Sequence, residues 1–166
     1  TLDKKNELGQ NINWSDKNIK DFSGRWKFNK ELSRTPVPVI DYIFDIQQYD
    51  SDSIMMHISR TFAKMKELNS NCRFVFNSVR MGESDMYNNT KTILTCSIAP
   101  DGQSFSVTYQ SKSKLGLFKE GKRSEIYSLS DDENQLIIRT IDFPDVTSDT
   151  GKEIQVMVFD RNQVEI

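Results

Sequence analysis

Residues 97–107 lie without a gap on residues 128–138, 31 positions further along the chain. The match places Ile98 with Leu129, Asp101 with Asp132, Phe105 with Leu136 and Val107 with Ile138. Each copy reads as a strand end, an acidic turn and a second strand, because Asp bonds its own backbone in turns and apolar residues two apart share a sheet face. Two hairpins in one register, joined directly in sequence, are units of an antiparallel meander, and such a meander closes as an up-and-down β-barrel. This duplication narrows the choice of folds more than any other feature of the chain.

The remaining sequence fits the same architecture. Tyr42, Phe44 and Ile46 alternate with Asp45 and Gln47, and Cys72, Phe74 and Phe76 alternate with Arg73 and Asn77, the period of half-buried strands. Residues 54–61 also read as a strand, with both faces mixed in character. Pro36 and Pro38 exclude a regular helix between Thr35 and Ile40 and leave an extended crossing. Residues 63–71 space Phe62, Met65 and Leu68 by three and read as a loop with a helical turn; residues 81–89 read as a polar loop. The pattern predicts nine strands at 24–30, 41–49, 54–61, 72–79, 91–98, 104–111, 122–129, 135–143 and 153–161, within a range of eight to ten for the barrel.

The first of these strands opens with Phe22-Ser23-Gly24-Arg25-Trp26 and continues through Lys27 and Phe28. Gly24 lets the chain bend sharply out of a loop, and Trp26 supplies enough apolar area to close one end of a barrel. Phe22 and Phe28 share its face at period 2. Ahead of it, Ser15 or Asp16 caps a short helical turn through Ile19, so that Trp14, Ile19 and Phe22 plug the same end. The motif resembles the first motif of the lipocalin and wider calycin families, and the run through Ser33 is similar to exported bacterial lipocalin-like proteins. The resemblance implies an eight-stranded barrel that carries a small apolar molecule, with Arg161 packed over Trp26. The second lipocalin motif, Thr-Asp-Tyr, is not evident, and the helix pair that fatty-acid-binding proteins insert after the first strand is missing.

A chain of 166 residues suffices for one domain, with roughly 70% of the unfolded surface buried. The reading divides it into a polar spacer, 1–13, and a barrel domain, 14–166. A formal charge of -2 gives no electrostatic case for nucleic acid, and the longest plainly apolar run, Val156 to Phe159, is too short for a transmembrane helix. A chain that begins at Thr1 and carries such a spacer is expected to have lost a leader, which points to a secreted, periplasmic or envelope-attached protein. Cys72 and Cys96 form neither a disulfide framework nor a zinc site and serve equally as small buried apolar residues. Asn13-Trp14-Ser15 and Asn88-Asn89-Thr90 fit the glycosylation pattern, which matters only in a eukaryotic secretory route.

No cluster of residues declares a reaction. His57 is the lone histidine, no nucleophile elbow is present, and the acidic groups at Asp50 and Asp52 and at Asp131, Asp132 and Glu133 fall in turns. Asp41 and Asp45 form a further carboxylate pair. The expectation is a protein that is not an enzyme and needs no metal or cofactor. Its candidate site is the barrel interior, lined by Tyr42, Phe44, Phe74, Phe76, Phe105, Tyr109 and Tyr127, which either fill the barrel or surround one small apolar or amphipathic ligand. Gly24, Trp26 and Arg161 close one end. Leu115, Leu117 and Phe118, set among cations, read as a lid, as a loop that touches a membrane or partner, or as inward residues of a long hairpin. The competing reading is an interaction module with a filled core that works through its loops.

Overall fold

The computed structural model describes residues 4–5, 11–12, 19–36, 39–48, 53–62, 68–83, 90–113 and 121–162. A short antiparallel ladder joins β1 (Lys4–Lys5) to β2 (Asn11–Ile12), inside the stretch expected to be a spacer. The other strands form one antiparallel sheet: β3 (Gly24–Arg34), β4 (Val39–Gln47), β5 (Ser53–Phe62), β6 (Leu68–Val75), β7 (Ser78–Glu83), β8 (Thr90–Ile98), β9 (Ser104–Ser113), β10 (Gly121–Leu129), β11 (Gln135–Phe143) and β12 (Lys152–Arg161). Their spatial order is β6-β5-β4-β3-β12-β11-β10-β9-β8-β7, so the last strand pairs with the first of the sheet and the meander becomes a nearly closed barrel.

Among the described residues ten strands of this sheet replace the nine expected. Residues 72–79 do not make one strand: the chain turns at Phe76 and Asn77, and β7 runs on to Glu83 through residues expected to be loop. Likewise β6 begins at Leu68, inside the segment expected to be a loop with a helical turn. Among the described residues no ladder joins β6 to β7 across this tight turn, and the turn itself supplies the reason. Only Asn77 there has a positive φ, 55°, whereas the hairpin turns that continue a ladder need the primed geometry; turns of the opposite sense splay their strands. Phe76 meanwhile points into the core against Phe105, with ring centroids 5.3 Å apart.

The duplicated hairpins repeat the same three hydrogen bonds. Ala99 and Ser130 donate their amides to Ser104 and Gln135, Gly102 and Glu133 donate to Ala99 and Ser130, and Gln103 and Asn134 donate to the carboxylates of Asp101 and Asp132. Both turns place one residue in the left-handed region, Gly102 at φ 70° and Glu133 at φ 61°. The carbonyls of those two residues point at the barrel end. Gly102 accepts the amide of Lys20, and Glu133 accepts two nitrogens of the Arg161 guanidinium at 3.0 and 3.2 Å.

At that end the core is sealed. Trp26 and Phe22 are fully buried, the Trp26 indole donates to the Phe22 carbonyl at 3.0 Å, and the guanidinium of Arg161 lies 4.2 Å over the indole ring. Gly24 has φ 141°, and a Cβ there would stand 2.7 Å from Arg161, so the glycine serves both the bend and the close approach of the guanidinium. Ile19 and Phe22 plug the end as the sequence suggested, held by Gln48, which accepts the Phe22 amide and donates to the Lys20 carbonyl. Trp14, Ser15 and Asp16 lie outside the described residues.

One irregularity marks the outer wall. Between Asn29 and Arg34 the strand β3 carries extra residues against β12, and the Ser33 hydroxyl takes the place of backbone by accepting the Val158 amide at 2.9 Å. The bulge leaves Leu32 55% exposed.

Candidate functional site

Alternation fixes what faces the interior. On β10 the row is Arg123, Glu125, Tyr127 and Leu129, because Tyr127 and Leu129 belong to the core and residues two apart share a face. Its partners agree. Glu125 pairs with Val107 on β9 and Thr140 on β11, and both of those side chains are buried. A carboxylate therefore stands inside the barrel.

The seven residues expected to line the interior all lie there, in two groups. Phe44, Phe74, Phe76 and Phe105 are buried in the close-packed core. Phe105 meets Phe22 edge-on at 4.9 Å and stacks on Tyr127 at 4.6 Å; Phe44 and Tyr42 both pack on Phe159, which in the sequence stood out only as part of an apolar run. Tyr42, Tyr109 and Tyr127 belong to the second group, which carries polar atoms as well as rings. Leu115, Leu117 and Phe118 lie outside the described residues; the strands that flank them, β9 and β10, end and begin at the barrel end opposite Trp26.

The polar group centres on Glu125. The Tyr127 hydroxyl donates to its Oε2 at 2.7 Å. Burial, and after it the charge of Glu125, push the Tyr127 phenol well above its ordinary pKa, and the same two causes raise Tyr109. Both phenols therefore stay protonated through neutral pH. Weaker contributions to Tyr109 come from Cys72, Tyr42 and Cys96, which places those groups in the same region. Thr140 adds a buried hydroxyl. One step further from the floor, Arg123 stands 3.6 Å from Asp142, its partner on β11.

Glu125 was missed in the sequence, where Tyr127 was assigned to the interior without carrying the alternation back two residues. That step alone would have found it.

The other candidates fall elsewhere. His57 is exposed on the outer face, its Nδ1 2.6 Å from the Asn71 side-chain oxygen. Asp45 faces Arg25 across the outer wall, while Asp131, Asp132 and Glu133 make an exposed turn in which hydrogen bonds from Ser130 and the Asn134 backbone hold Asp132 below the usual carboxylate range. Asp50 and Asp52 lie outside the described residues. Cys72 and Cys96 are not joined in a disulfide, and Cys96 is fully buried. Among the described residues no three His, Cys, Asp or Glu side chains gather as a metal site would, and no helix is long and apolar enough to cross a membrane. A groove of about 430 Å³ runs over the outer wall, lined in part by Lys27, Lys30, Glu31 and Asp160 beside the bulge.

No protein-family model matches the chain, and no curated protein sequence matches it. Its fold is similar to solved structures of the fluorescent protein UnaG. A point mutant of that protein superposes with a TM-score of 0.55 at 13% identity, covering 87% of this chain and 97% of the other. The wild-type structure gives 0.53 at 13% identity, covering 85% and 97%. Likeness at this identity identifies the fold alone, a nearly closed antiparallel β-barrel.

Proposed function

We propose that the barrel is a non-enzymatic binding protein for a small apolar or amphipathic molecule held in its interior. The observation that supports this reading is the carboxylate of Glu125, set with three phenols above a floor that Trp26, Phe22 and Arg161 already seal. A barrel whose only task is to be stable has no need of a half-buried carboxylate in its interior, because desolvating a charge can cost more than its partners return. Polar atoms kept above an apolar floor give one ligand both a body site and a head site. The fold likeness to UnaG is compatible with this role.

The interaction-module reading draws on the outer wall, where exposed Leu32 adjoins the groove beside the bulge. One experiment separates the two. A neutral apolar fluorophore, N-phenyl-naphthylamine, is titrated into the folded protein and then displaced with fatty-acid and sterol panels. Saturable binding that one lipid class reverses supports the carrier. Absence of saturable binding removes it.

A further inference from the structure

The outer wall has two faces of opposite composition. On β8 and β9 the outward positions, which alternate with buried Cys96, Phe105 and Val107, are Thr95, Ser97, Ser104, Ser106, Thr108 and Gln110. That is the polar outside of a sheet with one solvated face. Further round the barrel the alternation is lost. One outward row crosses four strands as Ile126, Arg139, Val156 and Arg34, and the row beside it pairs Ile137 with Val158. None of these four apolar side chains belongs to the core cluster, so β11 and β12 are apolar on both sides, the pattern of strands that are covered on both sides. The bulge of β3 sets Leu32, 55% exposed, at the border of this face. Single apolar residues on a surface need no partner, whereas a contiguous set marks a contact.

Charge decides what covers it. Glu153 lies on the same face and accepts Arg34 on one carboxylate oxygen at 3.0 Å and Arg139 on the other at 3.2 Å. Two guanidiniums thus share one carboxylate, and among the described residues neither has a second ion-pair partner. One positive charge remains, with most of the N–H groups of both forks unspent. Covering the face strips water from that charge, a cost that an incoming anion offsets. A second copy of this chain would bring the same excess and meet like charge. An anionic lipid surface is a poor match, because one net cation attracts it weakly and the chain as a whole carries -2.

We propose that the face of Ile126, Ile137, Val156 and Leu32 docks a protein segment that presents a carboxylate among apolar side chains, the carboxylate reaching Arg34 and Arg139. Such docking uses the outside of the wall and holds whether or not the interior carries a ligand.

The test selects a random peptide library, displayed on phage, against the full chain, and titrates the enriched peptides by fluorescence anisotropy. Enriched sequences are expected to combine apolar residues with at least one Asp or Glu. Arg139→Gln should weaken them on the order of tenfold, the worth of one charge-assisted hydrogen bond, and Leu32→Ser several-fold. Ser106→Lys, on the hydroxyl-rich wall, should leave binding unchanged. Replacing the peptide's acidic residue by its amide should cost little more once Arg139→Gln is in place, the non-additivity of groups in contact. Arg34→Gln probes the same cluster if Arg139→Gln does not fold, and thermal melting checks each variant. The proposal is overturned if no peptide is enriched, if the enriched peptides lack a carboxylate, or if folded Arg139→Gln and Leu32→Ser proteins bind them as wild type does. Self-association in sedimentation that Leu32→Ser reverses assigns the face to a second copy, and co-pelleting with phosphatidylserine vesicles that Arg139→Gln abolishes assigns it to lipid; either result also overturns it.

Discussion

The floor of the barrel and the layer above it are built from the same strands to opposite rules. On β10 the change takes one step of the pleat, about 7 Å, from Tyr127 against Phe105 to Glu125 beside Tyr127. Below that step the large side chains are apolar or have their polar atom bonded to backbone, as with the Trp26 indole. Above it a carboxylate, phenols and a hydroxyl share the interior. Hydrophobic burial explains the floor without reference to any partner molecule. The rings of the upper layer share in that term, but the Glu125 carboxylate and the hydroxyls beside it do not, and a bound molecule is the reason proposed for those polar atoms.

This division can be broken from below first. Trp26→Ala should cost about 3 to 5 kcal/mol, the range for emptying a core aromatic. Denaturant unfolding measures it, and a loss under about 1 kcal/mol would mean that the floor does not hold the fold.

Gly24→Ala attacks the same end through the backbone. The substitution meets both a φ of 141° and the guanidinium of Arg161, so a loss of about 1 to 3 kcal/mol is expected by the same assay. Combined with Arg161→Ala it should cost less than the sum of the two single changes, because the clash is then gone.

The upper layer should answer to pH instead. Folding raises the phenol pKa of Tyr109 and Tyr127 above the unfolded value of about 10. Their contribution is therefore fully present below pH of about 10 and is lost as the pH climbs toward the folded values. Tyr127→Phe should lessen the alkaline loss of stability at a cost of about 1 kcal/mol at neutral pH, the worth of one hydrogen bond. Urea melts at a series of alkaline pH values would show this, and an unchanged slope would contradict it.

The smallest effect concerns the two hairpins. Glu133 occupies the left-handed position that Gly102 fills in the other copy, and the change Glu133→Gly should stabilise by roughly 0.5 kcal/mol. Thermal melting would register a small rise.

How much of this was legible in the sequence follows from how local each feature is. The duplicated hairpins were, because turn chemistry and alternation sit within eleven residues and both copies carried them. The closed end was too, since Gly24, Trp26 and Arg161 form a motif. The split at Phe76 and Asn77 was not, for it depends on the sign of φ at two residues within a run that alternates as one strand. Nor was the bulge at residues 30–33, where the Ser33 hydroxyl substitutes for backbone on a strand 125 positions away. The polar layer was half legible: the tyrosines stood out as aromatic, while Glu125 carries no apolar signal of its own and is found only by carrying the alternation back two residues from Tyr127.

Ligand-induced chemical-shift changes, mapped residue by residue with N-phenyl-naphthylamine added to isotopically labelled protein, test the central claim most directly. The account predicts saturable shifts at Tyr42, Tyr109, Glu125 and Tyr127, with the Trp26 indole signal nearly unmoved. Shifts confined to Asn29, Leu32 and Asp160 on the outer wall, with the interior tyrosines silent, would contradict it.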